Sequence, residues 1–93
     1  MRESVIEAKL AKQAKKMGGL ALKFTSPGFA GMPDRLVLLP GGGCGFVEVK
    51  ARGAIPRPIQ TARHEMLRSL GFQVHVLDDD KRIEEILHAI QGA

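Results

Sequence analysis

Residues 35–50 read Arg35-Leu36-Val37-Leu38-Leu39-Pro40-Gly41-Gly42-Gly43-Cys44-Gly45-Phe46-Val47-Glu48-Val49-Lys50, and this stretch decides the fold. The run Arg35 to Leu39 predicts a strand, stopped by Pro40. Gly41-Gly42-Gly43 is a turn, and Cys44 to Lys50 predicts a further strand, so the two form a hairpin. The glycine run lacks the following Lys-Ser/Thr and helix of a phosphate-binding loop, which excludes that reading. Period-two alternation puts Phe46, Glu48 and Lys50 on one face, and Val47 and Val49 on the other. On an edge strand, Glu48 and Lys50 would form a solvated face with a weak ion pair. The apolar segments on both sides favour an interior strand instead. There, an acid and a lysine need a chemical reason to be present.

Upstream of the hairpin, Ile6, Leu10, Ala14 and Met17 recur at helical spacing and predict a helix over about residues 3–17, ended by Gly18-Gly19. Leu20 to Thr25 is a short apolar strand. Ser26-Pro27-Gly28, with Gly31 and Pro33, marks a loop, where Gly28 and Gly31 are expected to serve close backbone passage. Downstream, Ala51 to Pro58 is irregular. A helix follows over about Ile59 to Leu70, capped by Gly71, then a strand over Phe72 to Leu77. Asp78-Asp79-Asp80 offers an N-cap for a last helix over Lys81 to Ile90. The predicted order is αβββαβα: an α/β chain with a mixed sheet flanked by helices, one domain over residues 1–93.

Composition narrows the partners. The chain is 44% hydrophobic with four Phe and no Trp or Tyr, so its core must rest on Leu, Ile and Val. It also has no aromatic platform for stacking single-stranded bases. A net charge of +4 is compatible with a polyanion but does not identify one. The single cysteine, Cys44, excludes an internal disulfide and a cysteine-type zinc cluster, and reads as a buried or half-buried thiol. No apolar run approaches a membrane span, and the start of the chain lacks a signal-peptide stretch, so a soluble intracellular protein is expected.

Three acidic positions stand out against this framework. In the first helix, Arg2, Lys9, Lys12 and Lys16 gather on one face, which reads as mostly solvated. Glu7 projects on the opposite, apolar face beside Leu10 and Ala14. A carboxylate there is costly unless it meets a cation, a donor or a metal; alone, it would be a boundary residue reaching water or a lysine. Asp34 follows the glycine- and proline-rich loop and opens a strand, where catalytic groups are often presented, although Pro-Asp is also an ordinary turn pair. Glu48 shares its strand face with Lys50. Two carboxylates on adjacent strands can hold a hard divalent cation through oxygen, with the Val49 carbonyl as a further ligand. His64, His75 and His88 show no paired ligand spacing, so Mg²⁺ or Mn²⁺ fits better than Zn²⁺. Among basic residues, Lys23, Arg35, Arg52, Arg57 and His64 are the candidate nucleic-acid contacts. Arg57, His64 and Arg68 share a helical face, and Arg52 and Arg57 flank the loop after the Glu48 strand.

Pro33-Asp34, thirteen intervening residues, then Glu48-Val49-Lys50 resembles the PD-(D/E)XK nuclease signature. With Glu7, Lys23, Gly31-Met32-Pro33-Asp34-Arg35, Phe46 to Lys50 and Gln60 opening a helix, the chain resembles the VRR-NUC branch, in the stand-alone form found in phages and bacteria. The likeness runs from about Glu3 to Leu77. It implies a restriction-endonuclease-like core and a metal-dependent endonuclease acting on DNA, including branched or flapped forms. It implies Asp34 and Glu48 as metal ligands, Lys50 near the attacking water, Glu7 assisting the metal site, and Gln60 orienting Lys50 or the phosphate. It further implies a homodimer, no organic cofactor, and a cytoplasmic setting in a bacterium, host- or phage-encoded. A non-catalytic nucleic-acid-binding or assembly module of the same fold is the alternative. The filling of every acidic and lysine position counts against it.

Overall fold

The structure, a computed structural model, describes residues 1–92. Helix α1 (Glu3–Lys16) forms because Ile6, Leu10 and Ala14 recur at helical spacing, and all three are fully buried. It closes at a left-handed Gly18, with the Gly19 amide donating to the Ala14 carbonyl at 2.9 Å. Strands β1 (Leu20–Lys23), β2 (Arg35–Leu39), β3 (Gly43–Val49) and β4 (Gln73–Leu77) make one sheet in the order β1-β2-β3-β4. The first two pairings are antiparallel and β3 pairs with β4 in parallel. A parallel pair needs a long crossover, and α2 (Pro58–Ser69) supplies it. The turn between β2 and β3 is tight because Gly41 and Gly42 both take positive φ, 85° and 87°.

The expected order αβββαβα is the observed one, with shifts at element ends. Strand β1 stops at Lys23, short of the expected Thr25, because the chain leaves for the loop; one ladder bond, Phe24 N–H to the Asp34 carbonyl at 2.8 Å, still ties the loop shut. Helix α2 begins one residue early, at Pro58, where a missing N–H costs nothing. The last helix, expected from Lys81, is split. A 3-10 turn over Asp80–Arg82 leads into α3 (Ile83–Gln91), and of the three aspartates it is Asp79 that caps, accepting the Lys81 N–H at 3.0 Å.

The sheet separates two unequal apolar layers. On one face α1 and α3 bury Ile6, Leu10, Val37, Val47, Val49, Leu77, Leu87 and Ile90 with their neighbours. On the other, α2 covers only Phe46, Leu67 and Val74, flanked by half-buried Phe24, Leu36 and Met66. Phe46 meets Phe24 and Phe72 edge to face, with centroids 5.6 and 5.9 Å apart. Strand β3 is interior, and every residue from Gly45 to Val49 is buried. Its even-numbered positions therefore enter the thinner layer under α2, and Glu48 goes in with Phe46. Among the described residues no helix is long and apolar enough to cross a membrane.

Candidate active site

The β2–β3 register assembles the site. Arg35 pairs with Val47, so one step further the antiparallel ladder sets Asp34 opposite Glu48. Residues opposite each other point to the same face, here the face under α2. Asp34 leans along β3, and its Oδ2 accepts the Val49 N–H at 2.9 Å. Glu48 is 1% exposed. Lys50, just past the end of β3, brings its Nζ to 3.6 Å from Glu48 Oε2. From α2, Gln60 donates its Nε2 to the same oxygen at 3.1 Å. Gln60 is itself oriented, because its Oε1 accepts the Arg57 N–H at the helix start, 2.8 Å away. One helical turn on, His64 Nε2 stands 3.6 Å from the other carboxylate oxygen, Glu48 Oε1.

The electrostatics follow from this crowding. Burial is the main reason that the Glu48 carboxyl is pushed up from 4.5 to about 7; Asp34, by charge and hydrogen bonding, pushes the same way, and Lys50 pulls back. His64 is held below its ordinary value, first by burial and then by the positive charges of Arg68 and Lys50. It is therefore a neutral imidazole near pH 7.

Glu7 reaches the neighbourhood by a different route. It lines a cleft with Glu3, Lys23, Phe24, Thr25 and Asp34, so it shares an open wall with Asp34, and its hydrogen bond goes to Arg35. Its carboxylate accepts Arg35 Nε at 2.8 Å, and Arg35 Nη1 donates to the Ala21 carbonyl at 2.7 Å. Arg35 alternates onto the α1 face of the sheet with Val37 and is committed to these two partners. A phosphate contact by Arg35, as expected from the sequence, would share the guanidinium with these partners. His64, expected to share a face with Arg57 and Arg68 and to contact nucleic acid, is instead 2% exposed and lies against Glu48, while Arg68 donates to the Val74 carbonyl. Gln60 contacts Glu48, where Lys50 or phosphate was expected. Lys23, Arg52 and Arg57 remain exposed; Lys23 is on the cleft wall and Arg52 lies 3.8 Å from Asp79.

Two relationships escaped the sequence reading although signals for both existed. Gln60, His64 and Leu67 are the buried residues of α2 and recur at helical spacing, which marks His64 as inward. Counting alternation from Val37 puts Arg35 on the side of α1, facing Glu7.

The described residues contain no group of three or more His, Cys, Asp or Glu arranged to hold a metal ion. What the site offers is the Asp34 and Glu48 carboxylates, the Val49 carbonyl at the strand end, and a buried carboxylate oxygen, Glu48 Oε1, without a hydrogen-bond partner. An orphaned, buried carboxylate oxygen beside a second acid is a poor resting arrangement for a protein alone. The donor set is all oxygen and only partly fills a coordination shell. That suits a hard divalent cation that keeps waters and takes substrate oxygens.

No family model matches the chain. A curated protein of Acyrthosiphon pisum secondary endosymbiont phage 1, named "Putative nuclease p44", is 49% identical over 90 residues, covering 97% of this chain and 96% of that one. A solved structure described as a VRR_NUC domain superposes with a TM-score of 0.85 at 30% identity, covering 95% of this chain and 97% of the other. Near full-length likeness in both sequence and backbone shows that this chain belongs to the VRR-NUC nuclease family and has its restriction-endonuclease-like α/β fold.

Proposed function

We propose that the protein is a metal-dependent endonuclease that hydrolyses DNA phosphodiester bonds, with Asp34, Glu48 and the Val49 carbonyl holding Mg²⁺ or Mn²⁺. The observation that carries this reading is the meeting of Asp34, Glu48 and Lys50 at one end of the β2–β3 pair, with Glu48 buried and one of its oxygens unpartnered. When bound, such a cation polarises the scissile phosphate and makes water a stronger nucleophile near neutral pH. The chain's own groups do the rest. Asp34 is anchored through one oxygen by the Val49 amide, and its carboxylate lies beside that of Glu48. Gln60 and Lys50 fix Glu48 Oε2 from two sides. The Lys50 ammonium orients the attacking water and offsets negative charge gathering on the phosphate oxygens. Lys23, on the cleft wall, and Arg52 and Arg57, exposed and flanking the loop after β3, would contact the DNA backbone. A preference for branched or flapped DNA and a homodimeric assembly carry over from the family resemblance as parts of the same proposal.

Supercoiled plasmid tests it. Purified protein should nick the plasmid with Mg²⁺ or Mn²⁺ and not with EDTA, and Asp34→Asn or Lys50→Ala should stop nicking while the circular dichroism spectrum stays that of the wild type. Nicking at the wild-type rate by both variants, or full activity in EDTA, would overturn the assignment. Labelled linear, flapped and four-way substrates then define the preferred DNA.

A further inference from the structure

Among the described residues, two buried side-chain polar atoms have no hydrogen-bond partner, Glu48 Oε1 and His64 Nε2. They face each other across 3.6 Å, too far for a hydrogen bond and too close for a water between them. The other carboxylate oxygen is already gripped, by Gln60 at 3.1 Å with Lys50 at 3.6 Å. Gln60 cannot slide, since its own oxygen is held by the Arg57 amide. The imidazole nitrogen stands beside the one carboxylate oxygen that Gln60 and Lys50 do not hold. At 2% exposure the ring cannot serve DNA, and a packing role alone does not explain a nitrogen aimed at an acid.

We propose that His64 is a positioning residue for Glu48: its Nε2–H donates to Oε1 as the site loads, so that the carboxylate is held through both oxygens and offers a divalent cation a single orientation. This rests on the metal-dependent reading above. Closing the 3.6 Å gap to bonding distance would satisfy both orphaned atoms at once. Partners of this kind, one step behind a ligand, set its direction and its affinity for metal.

Titration calorimetry with Mn²⁺ on the wild type, His64→Leu and His64→Gln tests this, alongside cleavage kinetics. Leucine keeps the bulk and loses the donor, whereas glutamine places an amide N–H near the position of Nε2. His64→Leu should bind Mn²⁺ about 10-fold or more weakly and lose kcat with KM for DNA unchanged, while His64→Gln recovers most of the affinity. If His64→Leu does not fold, His64→Asn, too short to reach Oε1, takes its place against His64→Gln. Wild-type Mn²⁺ affinity in the folded donor-less variant, or no advantage of glutamine over it, would overturn the proposal and leave the metal site standing. A wild-type protein that binds no Mn²⁺ would remove both.

Discussion

Asp34 accepts the backbone N–H of Val49 at 2.9 Å, so the acid that opens β2 is latched to the strand that carries Glu48 and Lys50. This bond separates two roles of one side chain, latch and charge. Asparagine keeps an acceptor for the amide but loses the charge, and alanine loses both. Asp34→Asn should stay within about 1 kcal/mol of wild-type stability, while Asp34→Ala should lose about 1–3 kcal/mol for the stranded N–H. Both should lose cleavage. Urea unfolding curves beside plasmid nicking check this, and equal stability of the two variants would show that the latch carries no energy.

The Glu48 carboxyl, raised from 4.5 to about 7 chiefly by burial, gives a signed pH dependence. Between those values the folded chain holds a proton that the unfolded chain has released. Glu48's contribution to stability is therefore full below about 4.5 and lost as pH rises to about 7. His64 and His75, both held below 6.5 by burial first, act oppositely and destabilise the fold as it is acidified. The difference between wild type and Glu48→Gln isolates the first effect. In EDTA, the melting temperature of the wild type relative to Glu48→Gln should fall as pH rises through this window. Protons and cation compete for the same carboxylate, so Mg²⁺ binding and cleavage should weaken as pH drops below 7, and more Mg²⁺ should move that loss to lower pH. A flat difference between the two proteins would contradict the burial of Glu48.

Glu7 and Arg35 are a separable unit at the edge of the site. The pair is half-screened, at 22% and 13% side-chain exposure, so its net contribution is modest, but breaking it strands a carboxylate over an apolar layer. Arg35→Met also leaves the Ala21 carbonyl without its donor. It should lose about 1–3 kcal/mol, more than Glu7→Gln, and the double-mutant cycle should show a coupling of about 0.5–2 kcal/mol. Chemical denaturation of the four proteins measures it. Zero coupling would make the contact incidental.

The elements were legible because each carries its period: Ile6, Leu10 and Ala14 at helical spacing, Val47 and Val49 against Glu48 and Lys50 in a strand. The pairing of Asp34 with Glu48 was legible too, since a hairpin fixes the register once its turn is found. Element ends were less so. Asp79 is the cap because of the local backbone, and a run of three aspartates does not reveal which one accepts. The inward side of α2 is harder to read for a physical reason. Arg57, His64 and Arg68 do recur on one side of a helix, but His64 also falls in the stripe of Gln60 and Leu67, and that overlapping stripe is the one turned inward against Glu48. Alternation gives the side of the sheet on which Arg35 lies, but its pairing with Glu7, like that of Gln60 with Glu48, joins segments far apart in the chain, and a local pattern does not name the partner.

The loop that delivers Asp34 gives the last test, because two of its glycines were expected to behave alike and do not. Gly28 and Gly31 both take positive φ, 80° and 88°, so alanine is strained at either. At Gly28 an added Cβ meets open space. At Gly31 it would come within 2.8 Å of the Ile59 carbonyl oxygen and 3.0 Å of the Arg63 side chain, and Arg63 already ties the loop to α2 through the Ala30 carbonyl at 2.8 Å. Arg63 also stacks on Phe29 at 3.9 Å, so an intruding methyl cannot be absorbed without loosening the loop. Gly28→Ala should therefore cost about 1 kcal/mol from backbone strain alone, and Gly31→Ala about 1–3 kcal/mol more. Gly31→Ala should also lower cleavage, since Asp34 lies three residues on and its carbonyl closes the same loop through Phe24. Denaturation midpoints and nicking rates of the two variants decide it. Equal effects would mean that the loop is free to swing away from α2, and that Asp34 is placed by its latch to Val49 alone.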